Sequence, residues 1–300
     1  MNGHREVRVR VPASSANLGP GFDTLALALA RYDEVEVSTA DDGLVVEVTG
    51  EGAGSVPLDE EHLVVRAMRA AFKEFGSSPP GLRLRCHNDV PHGRGLGSSA
   101  AAAVAGAVAA AALLGRDVQA ERELLLQVAS AMEGHADNAA ASLLGGFVVA
   151  WKYDGNNEDA YGAARLEPHV ELRPVALIAT EESSTATTRR LLPEQVPLAD
   201  AVFTASRTAL AVCAFTSQPE LLFAATEDRL HQPYRRPAYP ASASLVDRLR
   251  ERGIPAVISG AGPTVLALPT DGEVPDDLLD PSFTATPLAV DREGAVVHTG

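Results

Sequence analysis

Lysine is nearly missing from this chain. Lys73 and Lys152 are the only two in 300 residues, so arginine must do most of the cationic work, with a planar fork suited to carboxylates and phosphates. The scarcity excludes a lysine-bearing phosphate loop, and no G-x-x-x-x-G-K-[ST] occurs. The net charge of −15 excludes the basic field that nucleic-acid and anionic-membrane binders normally carry. Cys86 and Cys213 form no CxxC or metal spacing, which leads to the expectation of two reduced, buried thiols. The longest apolar run, Ala100 to Leu114, is too short and alanine-rich to span a bilayer. The N-terminal MNGHREVRVRVPASS is charged and alternating, unlike a signal peptide. These absences lead to the expectation of a cytoplasmic protein with no nucleic-acid or membrane partner.

What is present has ordinary globular proportions, 46% apolar and 22% charged. The length suggests roughly two domains. Val7, Val9 and Val11 alternate as in a strand. PASSANLGPGFD (12–23) reads as a loop and TLALALA (24–30) as an apolar element. Strands at 34–37 and 44–48 flank Asp41-Asp42-Gly43, a hairpin signal. Helical spacing covers 63–75, 121–135, 198–216, 220–228 and 242–252, with a further helix after the glycines at 93–97. Strands are expected at 82–87 and 173–180, and 256–268 reads as a strand, a glycine turn and then a strand or helix. Residues 181–188 read as a polar loop. The polar stretch 152–168 reads as the boundary between domains at 1–155 and 165–300. Mixed strands and helices in both halves indicate an α+β class.

The junction PHGRGLGSSAA (91–101) carries the strongest chemistry. Gly93, Gly95 and Gly97 permit backbone conformations and approaches that a Cβ would block. The helix that follows opens with free amides at the positive end of its dipole, which makes an anion cradle. Position 100 is alanine, so the G-x-G-x-x-G fingerprint is also unmet. Three more polar or glycine-rich islands stand at 12–23, 133–138 and 259–264. Taken singly they have plain structural readings: Asn17 and Asp23 as turn formers, Glu133 as a helix-end acid, Arg189-Arg190 as a solvated face.

Together, PASSANLGPGFD, PHGRGLGSSAA, EGHADN (133–138), STATTRRLLP (184–193), HQPYR (231–235) and ISGAGPT (258–264) resemble the GHMP kinase superfamily, and within it the homoserine kinase branch. The resemblance runs in order from about Val9 to Leu268. It implies an N-terminal α+β domain with a left-handed βαβ crossover and a ferredoxin-like C-terminal domain. It implies transfer of a phosphoryl group from Mg·ATP to the hydroxyl of L-homoserine, on the route to threonine. Dimers are frequent among such proteins, so a homodimer is an open expectation. The remaining alternatives are a kinase of another small molecule and a silent binding relative.

Site roles follow from the same resemblance. The nucleotide would lie on Pro91, His92, Gly93, Arg94, Gly95, Leu96, Gly97, Ser98, Ser99, Ala100 and Ala101. Ser98 and Glu133 would hold Mg²⁺. Asn17 and Asp23 would meet the amino and hydroxyl ends of the substrate, with His135 and Asp137 adding polar contacts. Arg189 and Arg235 would grip its carboxylate. Asn138 would stand near the transferred group, orienting it rather than removing a proton. Two departures stand out. His62 replaces a common asparagine near the adenine, and Ala261 replaces a common serine in the C-terminal turn.

Overall fold

The computed structural model describes residues 5–153, 160–182 and 185–298. The alternating valines open β1 (Glu6–Asn17), which turns back at once into β2 (Gly21–Ala40). Most of PASSAN is therefore strand rather than loop, with Ala13 to Ala16 in antiparallel register against Leu29 to Ala26. Ser14 and Ser15 are wholly buried, and their backbone groups need partners, which the ladder with β2 and the Leu96 carbonyl supply.

β3 (Leu44–Gly50), α1 (Leu63–Phe75) and β4 (Gly81–Asn88) follow as a parallel βαβ unit. The hairpin expected at 41–43 does not form. β4 lies between β2 and β3, antiparallel to the first and parallel to the second. Gly81 permits this, because a Cβ there would collide with the Asp42 backbone.

Helices α2 (Ser98–Leu113), α3 (Arg122–Glu133) and α4 (Asp137–Leu144) pack against this sheet. Twelve of the sixteen α2 residues are buried, so its alanines face neighbours on every side instead of forming one stripe. β5 (Phe147–Lys152) pairs with β2, and β6 (Tyr161–Leu166) pairs with β5. The polar stretch 152–168 thus contains a strand of the first sheet.

A second sheet begins with β7 (Val175–Ala179). Five α-helices come next among the described residues: α5 (Thr185–Arg189), α6 (Leu198–Thr216), α7 (Leu222–Ala225), α8 (Gln232–Arg235) and α9 (Pro240–Glu251). Then come β8 (Ala256–Ile258), β9 (Val265–Ala267) and β10 (Phe283–Pro287). The sheet order is β10-β7-β9-β8 with antiparallel neighbours throughout, the ferredoxin-like arrangement. Between β9 and β10 the described helix is a single 3₁₀ turn, Asp276–Leu278. The segment read as polar loop contains α5. The helix expected over 220–228 ends at Ala225, because the Asp228 carboxylate accepts the N–H groups of Leu230, His231 and Gln232 at 2.7–3.1 Å and starts α8 instead. β11 (Val296–His298) returns to pair with β1.

Period-two alternation divides the long strands between cores. In β2, Ala26 and Ala28 join the core under the helices, whereas Leu25, Leu27 and Leu29 enter a middle core with Ala211, Ala214 and Phe215 of α6 and Ala176 of β7. Val175, Leu177 and Ala179 face a third core with Leu245 and Leu249 of α9. The middle core joins the two sheets. Among the described residues α6 alone is long and apolar enough to cross a membrane. Its inner face is 211, 214 and 215, which turns Cys213 outward. That thiol is exposed, contrary to expectation, while Cys86 is buried.

Close packing of α1 on α2 gives a direct test. A Cβ at Gly106 would collide with the Val64 carbonyl. Helix propensity alone favours alanine by about 1 kcal/mol, yet Gly106→Ala is expected to destabilise the chain by about 1–3 kcal/mol, measured by urea unfolding.

Candidate active site

The glycine loop enters α2 with Gly93, Gly95 and Gly97 all in the left-handed region, at φ 63°, 77° and 72°. Two of them are also sites of close approach. A Cβ on Gly95 would strike the carbonyls of Ser259 and Gly262, and one on Gly97 would strike Ser14 Oγ. The turn at 259–262 is bolted against the loop by Ser259 Oγ, 2.6 Å from Gly95 O and 2.8 Å from Ser15 Oγ. Gly260 N–H donates to Ala16 O at 3.0 Å, and Asn17 Nδ2 donates back to Gly260 O at 2.8 Å. Backbone from both sheets therefore converges on one spot.

At the mouth of the loop, Ser99 Oγ donates to Glu133 Oε1 at 2.5 Å. The hydroxyl facing the acid is that of Ser99, one residue beyond the serine expected. Among the described residues no cluster of three or more His, Cys, Asp or Glu side chains is placed to hold a metal. One carboxylate beside one hydroxyl is a sparse set of hard oxygen donors. It fits a cation such as Mg²⁺, which keeps several waters and takes phosphate oxygens for the rest.

On the opposite wall the strand turn between β1 and β2 supplies the acidic group. Asn17, Leu18 and Asp23 all have positive φ, at 70°, 47° and 54°, which is strained for non-glycine residues. The turn is held by Asn17 Oδ1, which accepts Asp23 N–H at 3.0 Å, and by His231 Nε2, 2.7 Å from Gly19 O. Both ends of the Asn17 amide are thus engaged by protein. Asp23 forms a bidentate pair with Arg189 at 2.7 and 2.8 Å. Phe22 lies between two cations, with the Arg189 and Arg235 guanidiniums 5.2 and 4.9 Å from its ring centroid.

Arg235 is the anomaly of this wall. It is 1% exposed, and among the described residues its Nε has no hydrogen-bond partner and no acid forms an ion pair with it, Asp23 and Asp228 acting on it only at longer range. Burial pulls its pKa down. An uncompensated buried charge costs several kcal/mol, so this guanidinium is poised for an anion.

α4 begins at Asp137, whose buried carboxylate accepts Asn138 N–H at 2.8 Å and His135 Nδ1–H at 2.6 Å. Burial pulls the His135 pKa down, but Asp137, Asp23 and Glu133 outweigh it and the net shift is upward. Asn138 Oδ1 accepts Ser14 Oγ–H at 2.9 Å.

One cavity of about 390 Å³ is lined by the glycine loop, Ser99 and Glu133, by Asn17, Phe22, Asp23, Arg189 and Arg235, and by His135, Asp137 and Asn138. The expected site residues line it, with two exceptions: Ala100 and Ala101. Those two are fully buried in the first turn of α2 and belong to the core. The far end is formed by His62, Asp33, Val56 and Pro57. His62 is 5% exposed and its Nδ1 is unpartnered. Burial lowers its pKa, which favours the neutral ring. Ala261 lines the cavity without a hydroxyl. Sequence reasoning passed over Phe22, Asp33 and Ser14. Phe22 lies inside the first motif, but nothing local marks an aromatic ring as a rest for two distant arginines.

Two family models match this chain: GHMP kinases N terminal domain over residues 62–146 and GHMP kinases C terminal over 212–280. The two-domain fold is accordingly that of a GHMP kinase. The homoserine kinase of Streptomyces coelicolor is 52% identical over 295 residues, covering 97% of this chain and 94% of that protein. That of Rhodococcus erythropolis is 56% identical over 272 residues, covering 88% and 86%. The crystal structure of homoserine kinase from Cytophaga hutchinsonii matches with a TM-score of 0.83 at 27% identity over 99% of both chains. The chain belongs to the homoserine kinase family.

Asp33 makes the far end testable by pH. Its Oδ1 accepts Asp89 and Val90 N–H at 2.8 and 2.9 Å, holding the turn before the glycine loop. Burial outweighs these bonds and pushes its pKa from 3.8 up to about 6. Across that interval the folded chain holds a proton the unfolded chain has released, so this group's contribution to stability falls as pH rises. Asp33→Asn is expected to remove a loss of up to about 3 kcal/mol between pH 4 and 6. Chemical denaturation at a series of pH values measures it.

Proposed function

We propose that this chain transfers the γ-phosphoryl group of ATP to the side-chain hydroxyl of L-homoserine, giving O-phospho-L-homoserine on the route to threonine. The observation that carries the reading is Arg235, a buried guanidinium without an acid, beside the Asp23–Arg189 pair. An amino-acid zwitterion answers both. Its carboxylate satisfies Arg235 and Arg189, and its ammonium takes over Asp23 as Arg189 turns to the carboxylate. Family membership supports homoserine as that amino acid.

The nucleotide phosphates would be received by the N–H groups of Gly95 to Ser99 at the positive end of α2. Its base would rest at the end lined by His62, Val56 and Pro57. Glu133 would hold Mg²⁺ through its carboxylate, with Ser99 or Ser98 as hydroxyl partner. The ion, when bound, supplies charge neutralisation at the phosphates. No lysine reaches the site, and Lys73 and Lys152 line no part of the cavity. The chain's own contribution is therefore orientation: Asp23, Arg189 and Arg235 fix the amino-acid end, and Asn138 addresses the hydroxyl. A loose phosphoryl transfer asks little of a base. The reading is of a cytoplasmic enzyme, with homodimerisation left to a direct mass measurement.

Two variants test the reading in opposite directions. Arg235→Met is expected to raise the KM for L-homoserine about a hundredfold while leaving the KM for ATP unchanged. It should also stabilise the ligand-free protein by about 1–4 kcal/mol. Coupled ADP-release kinetics and thermal unfolding read the two effects, and unchanged homoserine use would defeat the assignment. Glu133→Ala is expected to raise the Mg²⁺ requirement about tenfold to a hundredfold, measured by Mg²⁺ titration of the rate.

A further inference from the structure

Asn138 addresses the transfer step with a side-chain amide, and that amide has two ends. Its Oδ1 accepts a hydrogen bond from Ser14 Oγ at 2.9 Å, while its Nδ2 donates to no group among the described residues. Asn138 does not choose this orientation alone. Ser142 Oγ donates to Ser14 Oγ at 3.3 Å, which occupies a lone pair on Ser14 and leaves its single proton for Asn138, where the side-chain Oδ1 at 2.9 Å is a nearer acceptor than the backbone O at 3.4 Å. Ser14 and Ser142 are both 0% exposed, so water cannot substitute for either.

Ser14 also belongs to the phosphate side. Its N–H donates to Leu96 O at 3.0 Å, and its hydroxyl fills the space that a Cβ on Gly97 would need. One residue of β1 thus touches both the loop that receives the phosphates and the amide that faces the acceptor.

We propose that Ser14 is a positioning residue: its hydroxyl locks the Asn138 amide with Nδ2 turned into the cavity, toward the acceptor hydroxyl and the phosphoryl group. The proposal rests on the reading of homoserine phosphorylation given above. It assigns to the first serine of the PASSAN segment a part in kcat rather than in binding. Every hydrogen bond in the chain Ser142 to Ser14 to Asn138 runs one way, so deleting the middle hydroxyl frees the amide to flip.

The test is a double-mutant cycle in steady-state kinetics with Mg·ATP and L-homoserine. Asn138→Ala is expected to lower kcat about a hundredfold, the cost of losing one oriented donor. Ser14→Ala is expected to lower kcat about tenfold to thirtyfold, with both KM values within about twofold of wild type. In the Asn138→Ala background, Ser14→Ala is expected to cost less than about twofold, because the amide it positions is gone. Ser142→Ala, which leaves the Ser14 hydroxyl in place, is expected to cost about threefold. Equal losses from Ser14→Ala in the two backgrounds overturn the proposal, as does a rise in either KM with kcat intact. A fall in Tm that accounts for the lost activity also overturns it. If the wild-type chain does not turn over L-homoserine, the functional reading fails instead. The same cycle on whichever amino alcohol it does accept then decides the role of Ser14.

Discussion

Three close approaches where no Cβ fits govern this molecule: Gly19 against the Thr226 backbone, Gly95 against the carbonyls of Ser259 and Gly262, and Gly97 against the Ser14 hydroxyl. Each brings together segments from different elements, and the cavity is the space left between them. The attraction comes from the middle core, where Leu25, Leu27 and Leu29 meet Phe215 and Ala176. That force is non-directional and fixes only that the two sheets approach. Their exact seating comes from hydrogen bonds at the crossings, with the 259–262 turn held to β1 by Gly260 and Asn17. Apolar burial supplies the closeness, and the glycines let that closeness reach backbone contact.

The same junction concentrates unfavourable features that the rest of the fold sustains. Leu18 and two polar neighbours hold positive φ, and Arg235 is buried without an acid. Strain and unpaired charge of this kind persist only where surrounding structure over-determines them. Here the determinants are visible: the Asn17 amide, the His231 ring under Gly19 O, and the packed Leu18 side chain. Asp23 and Arg189 meanwhile satisfy each other, so only part of the charge meant for a ligand is held unmet in its absence.

Much of this was legible in the sequence because the chemistry sits in long contiguous words. The glycine loop, EGHADN and the arginines were found as residue types with a reason to be together, and the structure gathers them around one cavity. Helices 63–75 and 198–216 were read to the residue, since their apolar spacing is regular. What escaped was decided by distant partners. The DDG turn at 41–43 signals a hairpin locally, but the return of β4 through Gly81 separates the strands. PASSAN has loop composition, yet it is strand because both faces are covered. The hydrogen bond of Ser99 to Glu133 depends on the rotation of α2 about its axis, which no motif encodes. Ser14 was invisible for a like reason: the partners of its hydroxyl, Asn138 and Ser142, lie more than a hundred residues away.

The last described strand carries a consequence for synthesis. β11 is made after the whole second sheet, yet it hydrogen-bonds to β1 near the start of the chain, Val297 opposite Val9. During translation the outer edge of β1 therefore stays open while some 280 residues emerge, an unpaired edge of the kind that invites pairing between nascent chains. The first sheet cannot finish as an independent early unit. Arg8 and Arg10 alternate along that edge, and charged side chains there discourage neighbouring ribosome products from docking before β11 arrives.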